Sequence, residues 1–271
     1  MKIVCSSSSI LMAVGIAATI TSINNDTVSW NPKQKNIHDM LYELKPDLVI
    51  ITSEYINQNS IQALKEANTK FVVLGMYSSD VVIPELVCLP HTMPQPLIDN
   101  VAKKYNTLVL KGAANPALYR PAPYNEKYAS DIFILSNIDM SMYSRTIKQI
   151  TDSNHSIKIV GPVPYRSLYY LGNTSVYNIS LLLSSTKLVI DFNHNAWYDA
   201  AIFGKYSIEN AQSIENIENI LMDVNSHTTQ QNKSYVLARH TYYHRVADIF
   251  NTINLPQMAQ LTMKKFGEFQ W

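Results

Sequence analysis

Two hydrophobic rhythms alternate along this chain. Short, nearly continuous apolar runs rich in Val and Ile read as strands buried on both faces, the pattern of parallel sheets. They fall at residues 2–5, 27–30, 47–51, 70–74, 87–89 and 107–110. Between them, at 10–19, 34–44, 59–67 and 96–105, apolar residues recur at the spacing of one helical face. The rhythm breaks over 120–125, where Pro121 and Pro123 flank Ala122 and predict a linker. It then restarts, with strands at 131–135, 156–160, 187–190 and 206–208. The accompanying helices are predicted at 140–150, 176–184, 196–203 and 213–224, followed by one long helix over 231–253 and a helical tail from Pro256. Such alternation predicts doubly wound parallel sheets, and the interruption predicts two of them. The expected domains are 1–125 and 126–250, with 251–271 a helical tail packing back on the first. Ligands of such sheets bind beyond the carboxyl ends of the strands, so candidate chemistry is sought in the loops that follow strands.

The N-terminus invites a second reading. Lys2 and the apolar run at 10–20 superficially suit a secretory signal. Ser6 to Ser9 stand where a signal core should be unbroken and where a helix wants an N-cap. No small-x-small cleavage site follows. A first strand, turn and helix is therefore expected, and with it a cytoplasmic protein. No stretch reaches the ~20 apolar residues of a membrane span.

Composition narrows the chemistry. Of 271 residues, 46% are hydrophobic and 16% charged, which supports a real core and excludes a disordered chain. Net charge is +1, from 22 Lys+Arg against 21 Asp+Glu, so a uniformly basic coat for nucleic acid is excluded while a local basic groove is not. Lys103, Lys104, Lys111, Arg120 and Lys127 form a loose basic stretch whose default reading is a solvated face. Cys5 and Cys88 are the only cysteines, too few for a disulfide framework or a four-Cys zinc site. They fit a reducing compartment. No G-x-G-x-x-G follows a predicted strand, which argues against a dinucleotide-dependent dehydrogenase. His240 and His244 stand four apart on the predicted long helix, the spacing of two metal ligands, but no third ligand is evident. No bound metal is expected.

Several stretches together carry a resemblance. They are Ile134-Leu135-Ser136-Asn137 followed by Arg145, then Ile157-Lys158-Ile159-Val160-Gly161, then Leu188-Val189-Ile190-Asp191-Phe192-Asn193. Asp199 with Gly204 five positions later, and His240-Thr241-Tyr242-Tyr243-His244-Arg245, complete the set, with Lys45-Pro46-Asp47-Leu48-Val49-Ile50 in the first half. In order and spacing this resembles the CgeB-like (spore-maturation-protein-like) glycosyltransferases, a group that also occurs in phages. The resemblance implies a GT-B fold, that is, two Rossmann-like doubly wound domains facing across a cleft. It implies a metal-independent transferase that uses a nucleotide sugar, such as a UDP-sugar, as co-substrate and needs no other cofactor. The acceptor is a hydroxyl group, and phage members of this kind can glycosylate hydroxymethylated DNA bases, which would require a basic groove and base flipping.

By the same resemblance the donor is held by the second domain. Asp199 is placed to accept hydrogen bonds from the ribose hydroxyls. Asn193, His194 and Arg145 are placed to meet the diphosphate, Gly161 to let the backbone approach base or ribose, and Gly204 to close the motif. Each has an ordinary alternative: Asp199 a helix N-terminal acid favoured by the macrodipole, Arg145 a solvated helix residue, Gly161 a turn. The group places an Arg and an aromatic before its Glu, whereas this chain has Asn195-Ala196-Trp197-Tyr198-Asp199. The missing Arg favours an alternative, a non-catalytic nucleotide- or ligand-binding protein on a degenerate fold. An inverting transfer also needs a base for the acceptor hydroxyl. Asp80 and Glu54, which follow predicted strands of the first domain, are the candidates, with Asp80 ranked first and His91 a third.

Overall fold

The structure, a computed structural model, describes residues 1–7, 11–135, 144–161, 171, 175–191, 196–209, 219, 221 and 226–269. It divides into two compact units, Met1–Gly112 with Tyr242–Gln270 and Ala113–Thr241.

The first unit is built on a parallel six-stranded sheet in the order β2-β1-β3-β4-β5-β6. The strands are β1 (Ile3–Ser6), β2 (Thr27–Trp30), β3 (Leu48–Thr52), β4 (Lys70–Leu74), β5 (Leu86–Pro90) and β6 (Thr107–Leu110). Alternation along each strand sends successive side chains to opposite faces. Ile3, Cys5, Leu48 and Ile50 pack with α1 (Leu11–Ile23) on one face, and Val4, Val49 and Ile51 pack with α2 (Ile37–Leu44), α3 (Gln58–Ala67) and α4 (Gln95–Ala102) on the other. Both faces being covered explains the unbroken apolar runs. Helix α2 starts later than expected because Asn36 caps it, its side-chain oxygen accepting the Asp39 N–H at 2.9 Å. Asn57 and Ser60 form a reciprocal capping box on α3.

The second unit carries a parallel four-stranded sheet in the order β10-β9-β7-β8. Its strands are β7 (Ser130–Leu135), β8 (Ile157–Val160), β9 (Thr186–Asp191) and β10 (Tyr206–Glu209). Its helices among the described residues are α5 (Ser144–Thr151), α6 (Val176–Ser185), α7 (Ala196–Ile202) and α8 (Ser226–Arg239). At the start of β7, Asp131 meets Lys187 at 2.7 Å and also accepts the Ser156 N–H and hydroxyl. The helix expected at 213–224 lies outside the described residues, apart from positions 219 and 221.

The structure differs from the expected pattern at two points. The units divide at Gly112 rather than in the proline-rich stretch. That stretch is docked on α6, where Ser180, Ser184 and Ser185 accept the backbone N–H groups of Arg120, Ala122 and Asn125. The long helix over 231–253 is two helices, α8 and α9 (Tyr242–Thr252), interrupted at His240 and Thr241. There Ala114 bridges Thr241 and donates its N–H to the His240 carbonyl at 2.8 Å, a bond that replaces helical continuation. Helix α9 and α10 (Pro256–Gly267) therefore belong to the first unit, where Val246, Ile249 and Phe250 join the core beside Ile16 and Ile20. Among the described residues, no helix is long and apolar enough to cross a membrane.

Candidate functional site

In the first unit β1 pairs with both β2 and β3, so the chain reverses its direction of travel across the sheet at β1. Such a switch point opens a crevice at the carboxyl ends of the strands. Here those ends are tied by hydroxyls. The Thr52 N–H donates to Ser6 Oγ at 3.0 Å, and the Thr52 hydroxyl donates to Glu54 Oε1 at 3.4 Å. Ser7 binds the Trp30 carbonyl through both its N–H (2.7 Å) and its hydroxyl (2.9 Å). Gly75 follows β4 with φ +112°, and a Cβ there would lie 2.4 Å from Ser53 Oγ, so only glycine lets these two strand ends close. Glu54 is exposed in the short 3-10 turn Ser53–Tyr55. Burial, and after it the Glu54 carboxylate, push the Tyr55 phenol above its ordinary value. A pocket of about 420 Å³ opens beside this turn, with Glu54, Tyr55, Asn36, His38, Asn57 and Asn59 on its wall.

Asp80 does not join this site. The chain passes from β4 to β5 without a helix, over residues 75–85, and by Ser79 it has reached the other edge of the sheet. The Tyr105 hydroxyl, just ahead of β6, donates to the Ser79 carbonyl at 3.0 Å, and the Tyr77 hydroxyl donates to the Val82 carbonyl at 2.5 Å. The Asp80 side chain is 84% exposed and stands 3.8 Å from Lys104. Lys103 and Lys104 precede β6 while Lys111 follows it, so these lysines of the basic stretch stand at opposite edges of the sheet. A larger cavity, about 1030 Å³, opens at that amino edge by Pro46, Asp47 and Lys70, and holds none of the expected site residues.

In the second unit the switch point lies between β7 and β9, where Leu135 pairs with Asp191. Gly161 directly follows β8, and Arg145 is the second residue of α5. Asn193 and His194, immediately beyond β9, lie outside the described residues, as do Ser8 and Ser9 of the first unit. Asp199 sits in the first turn of α7, and its Oδ1 accepts the backbone N–H of Asn115 at 2.7 Å. Gly204 lies elsewhere in the unit. It is the left-handed residue (φ +67°) that ends α7, two positions before β10, at the amino edge of the sheet. Lys205 beside it is half-buried, and burial lowers its pKa. Neither stands at the carboxyl edge where Gly161 does.

The tertiary structure adds partners that local spacing did not reveal. Tyr119 lies near Asp199, and burial followed by that carboxylate pushes its phenol up to about 12. Asn115 is buried, and its side-chain oxygen has no hydrogen-bond partner among the described residues. The His240 ring stacks on Tyr235 (4.5 Å) and Tyr198 (5.8 Å), in the second unit. His244 packs edge-on against Phe266, in the first. With the helix broken between them, the two histidines do not share the one helical face that their spacing implied. Among the described residues, no group of three or more His, Cys, Asp or Glu could hold a metal ion. Tyr243 is fully buried, its hydroxyl 2.7 Å from that of Ser22.

No protein-family model matches the chain, and no curated protein matches it in sequence. Solved structures match it in fold. HepE of Anabaena, in complex with UDP and glucose, superposes with a TM-score of 0.62 at 10% identity, covering 94% of this chain and 99% of that one. Sucrose-phosphate synthase from Thermosynechococcus elongatus gives 0.54 at 12% identity, covering 85% and 76%. The S. aureus MnaA–UDP co-structure gives 0.50 at 11%, covering 94% and 97%. With two all-parallel sheets, each with its own switch point, the chain has an α/β fold of the GT-B type.

Proposed function

We propose that this chain is a nucleotide-sugar-dependent glycosyltransferase of the metal-independent GT-B type, which transfers a sugar to a hydroxyl acceptor. The observation that carries the reading is the fold itself, shared over nearly the whole chain with HepE, a protein crystallised with UDP and glucose. The CgeB-like spacing of Gly161, Asp199 and the His240–Arg245 stretch supports it.

In this reading the second unit binds the donor at the β7/β9 switch point. Gly161 lets backbone approach the nucleoside, and the Asp199 carboxylate, which can accept more than one hydrogen bond, takes a ribose hydroxyl while holding Asn115. Arg145, Asn193 and His194 meet the diphosphate, whose departing charge needs fixed donors or cations. In the first unit Glu54 is the base for the acceptor hydroxyl, replacing Asp80. One observation favours a second reading, a nucleotide-binding protein without turnover. The Asp199 carboxylate already serves a structural hydrogen bond, and the Arg expected ahead of it is absent.

A thermal-shift panel of UDP, UDP-glucose, UDP-N-acetylglucosamine and their GDP and TDP counterparts tests the donor, because a ligand of the native state raises Tm by mass action. At least one nucleotide sugar is expected to raise Tm and to be hydrolysed slowly without acceptor. Stabilisation without hydrolysis or transfer favours the binding protein. A panel with no shift removes both readings.

A further inference from the structure

The pocket beside Glu54 has a wall chemistry of its own. It lies at the carboxyl ends of β2 and β3, on the face covered by α2 and α3. Its polar side chains are the amides of Asn36, Asn57 and Asn59, the Ser60 hydroxyl, the His38 imidazole and the Glu54 carboxylate, with Asn36, Asn57 and Ser60 also engaged in helix caps, and Tyr55 contributes a half-buried ring. Among the described residues, no Lys or Arg lines it.

Each feature selects against one ligand class and for another. Nucleic acid is held chiefly by cations that neutralise its phosphates, and the one formal charge among these carboxylate and amide groups is negative. A phosphorylated acceptor meets the same obstacle. An apolar ligand would strip water from the exposed Asn59 amide and Glu54 carboxylate without replacing it, which costs more than leaving them in water. The exposed Asn59 amide offers both donors and an acceptor, which is the mixed pattern that neighbouring hydroxyls present. A carboxylate accepts two hydroxyl donors, and an aromatic ring covers the C–H face of a pyranose. About 420 Å³ falls within the usual range for small-molecule sites.

We propose that this pocket seats a neutral carbohydrate, a sugar or the end of a glycan, as the hydroxyl acceptor. The inference rests on the glycosyltransferase reading for the word acceptor, and on the pocket alone for the word carbohydrate. Asn59 is the residue to vary. It is exposed near the start of α3 and does not cap the helix, that role belonging to Asn57.

Saturation-transfer NMR on the full chain tests it, with methyl glucosides and galactosides, cellobiose, maltose and chitobiose as probes. Glucose 6-phosphate and a hydroxymethylated DNA oligonucleotide are the contrasting arms. At least one neutral sugar is expected to bind. Asn59→Ala is expected to weaken it about three- to tenfold, the loss of one neutral hydrogen bond, and Asn59→Trp to abolish it by filling the pocket. No binding of any neutral sugar, binding unchanged in both variants, or preference for the oligonucleotide or the phosphate overturns the proposal. UDP-glucose titrated into the same samples separates the two ideas. Nucleotide binding without sugar binding sinks the pocket assignment alone. Sugar binding that answers to Asn59, without nucleotide binding, keeps the carbohydrate site and removes the transferase.

Discussion

The Asp199 carboxylate accepts the backbone N–H of Asn115 at 2.7 Å, across 84 positions of sequence. A residue that resemblance marks for a ligand thus also holds the segment by which the chain enters its second unit. Asn115 is buried, so losing its acceptor leaves an N–H short of a partner, a penalty of about 1–3 kcal/mol. Asp199→Ala is expected to lose about that much stability in urea melts, and Asp199→Asn, which keeps an oxygen acceptor, less than half of it. The amide variant then isolates the ligand role. Its affinity for UDP is expected to fall about tenfold, the worth of a charged hydrogen bond. Unchanged affinity assigns Asp199 to anchoring alone.

Arg245 makes a comparable tie in the first unit. The residue is only 8% exposed, and its guanidinium donates through Nε to the Lys111 carbonyl at 3.1 Å and through Nη2 to the Gly112 carbonyl at 3.3 Å, with Asp248 at 3.7 Å. Helix α9 is thereby fastened to the last residues before the chain leaves the unit. Arg245→Met is expected to cost about 2–4 kcal/mol, from two carbonyls left without a charged donor. Arg245→Lys is expected to recover about half, because an ammonium lacks the planar fork that spans both. Denaturant midpoints at unchanged m-value check this.

Acid should act through Asp131. Hydrogen bonding to Lys187, ahead of the Ser156 bonds, lowers its pKa from 3.8 to about 2. A carboxyl whose folded pKa is depressed contributes stability above its unfolded pKa and loses it as pH falls through the folded one. The Tm gap between the native chain and Asp131→Asn is therefore expected to be constant at neutral pH. It should shrink below about pH 4 and close near pH 2. A gap that persists at pH 2 would show that the aspartate acts through packing.

Cys5 and Cys88 are free and buried, on strands facing the α1 side. Burial pushes the Cys5 thiol up to about 12 and raises Cys88 as well. Thiolate is the reactive form. The native chain is expected to resist Ellman's reagent at pH 8 for hours, and both thiols to react at once in guanidinium. Fast labelling of the native protein would mean that the first sheet opens locally.

The strands were legible because burial on both faces writes itself as contiguous Val, Ile and Leu, and β4 and β6 fall where the pattern put them. The place of Glu54 at a strand end was legible too, since it directly follows such a run. The place of Asp80 was not legible, because no periodicity shows that the segment after β4 crosses to β5 without a helix. The 231–253 pattern misled differently. Helical spacing continues through His240 and Thr241, and only pairing with Ala114 breaks it.

The amino-acid sequence by itself determined two parallel α/β sheets, the order of their strands, and which loops follow those strands. Those properties depend on hydrophobic period and local capping, which act within a few residues. Tertiary structure decided where the units part, which carboxylate stands at a switch point, and that Asp199 is bonded to Asn115. Those depend on contacts between residues tens of positions apart, whose energies are set by packing and burial and leave no local trace.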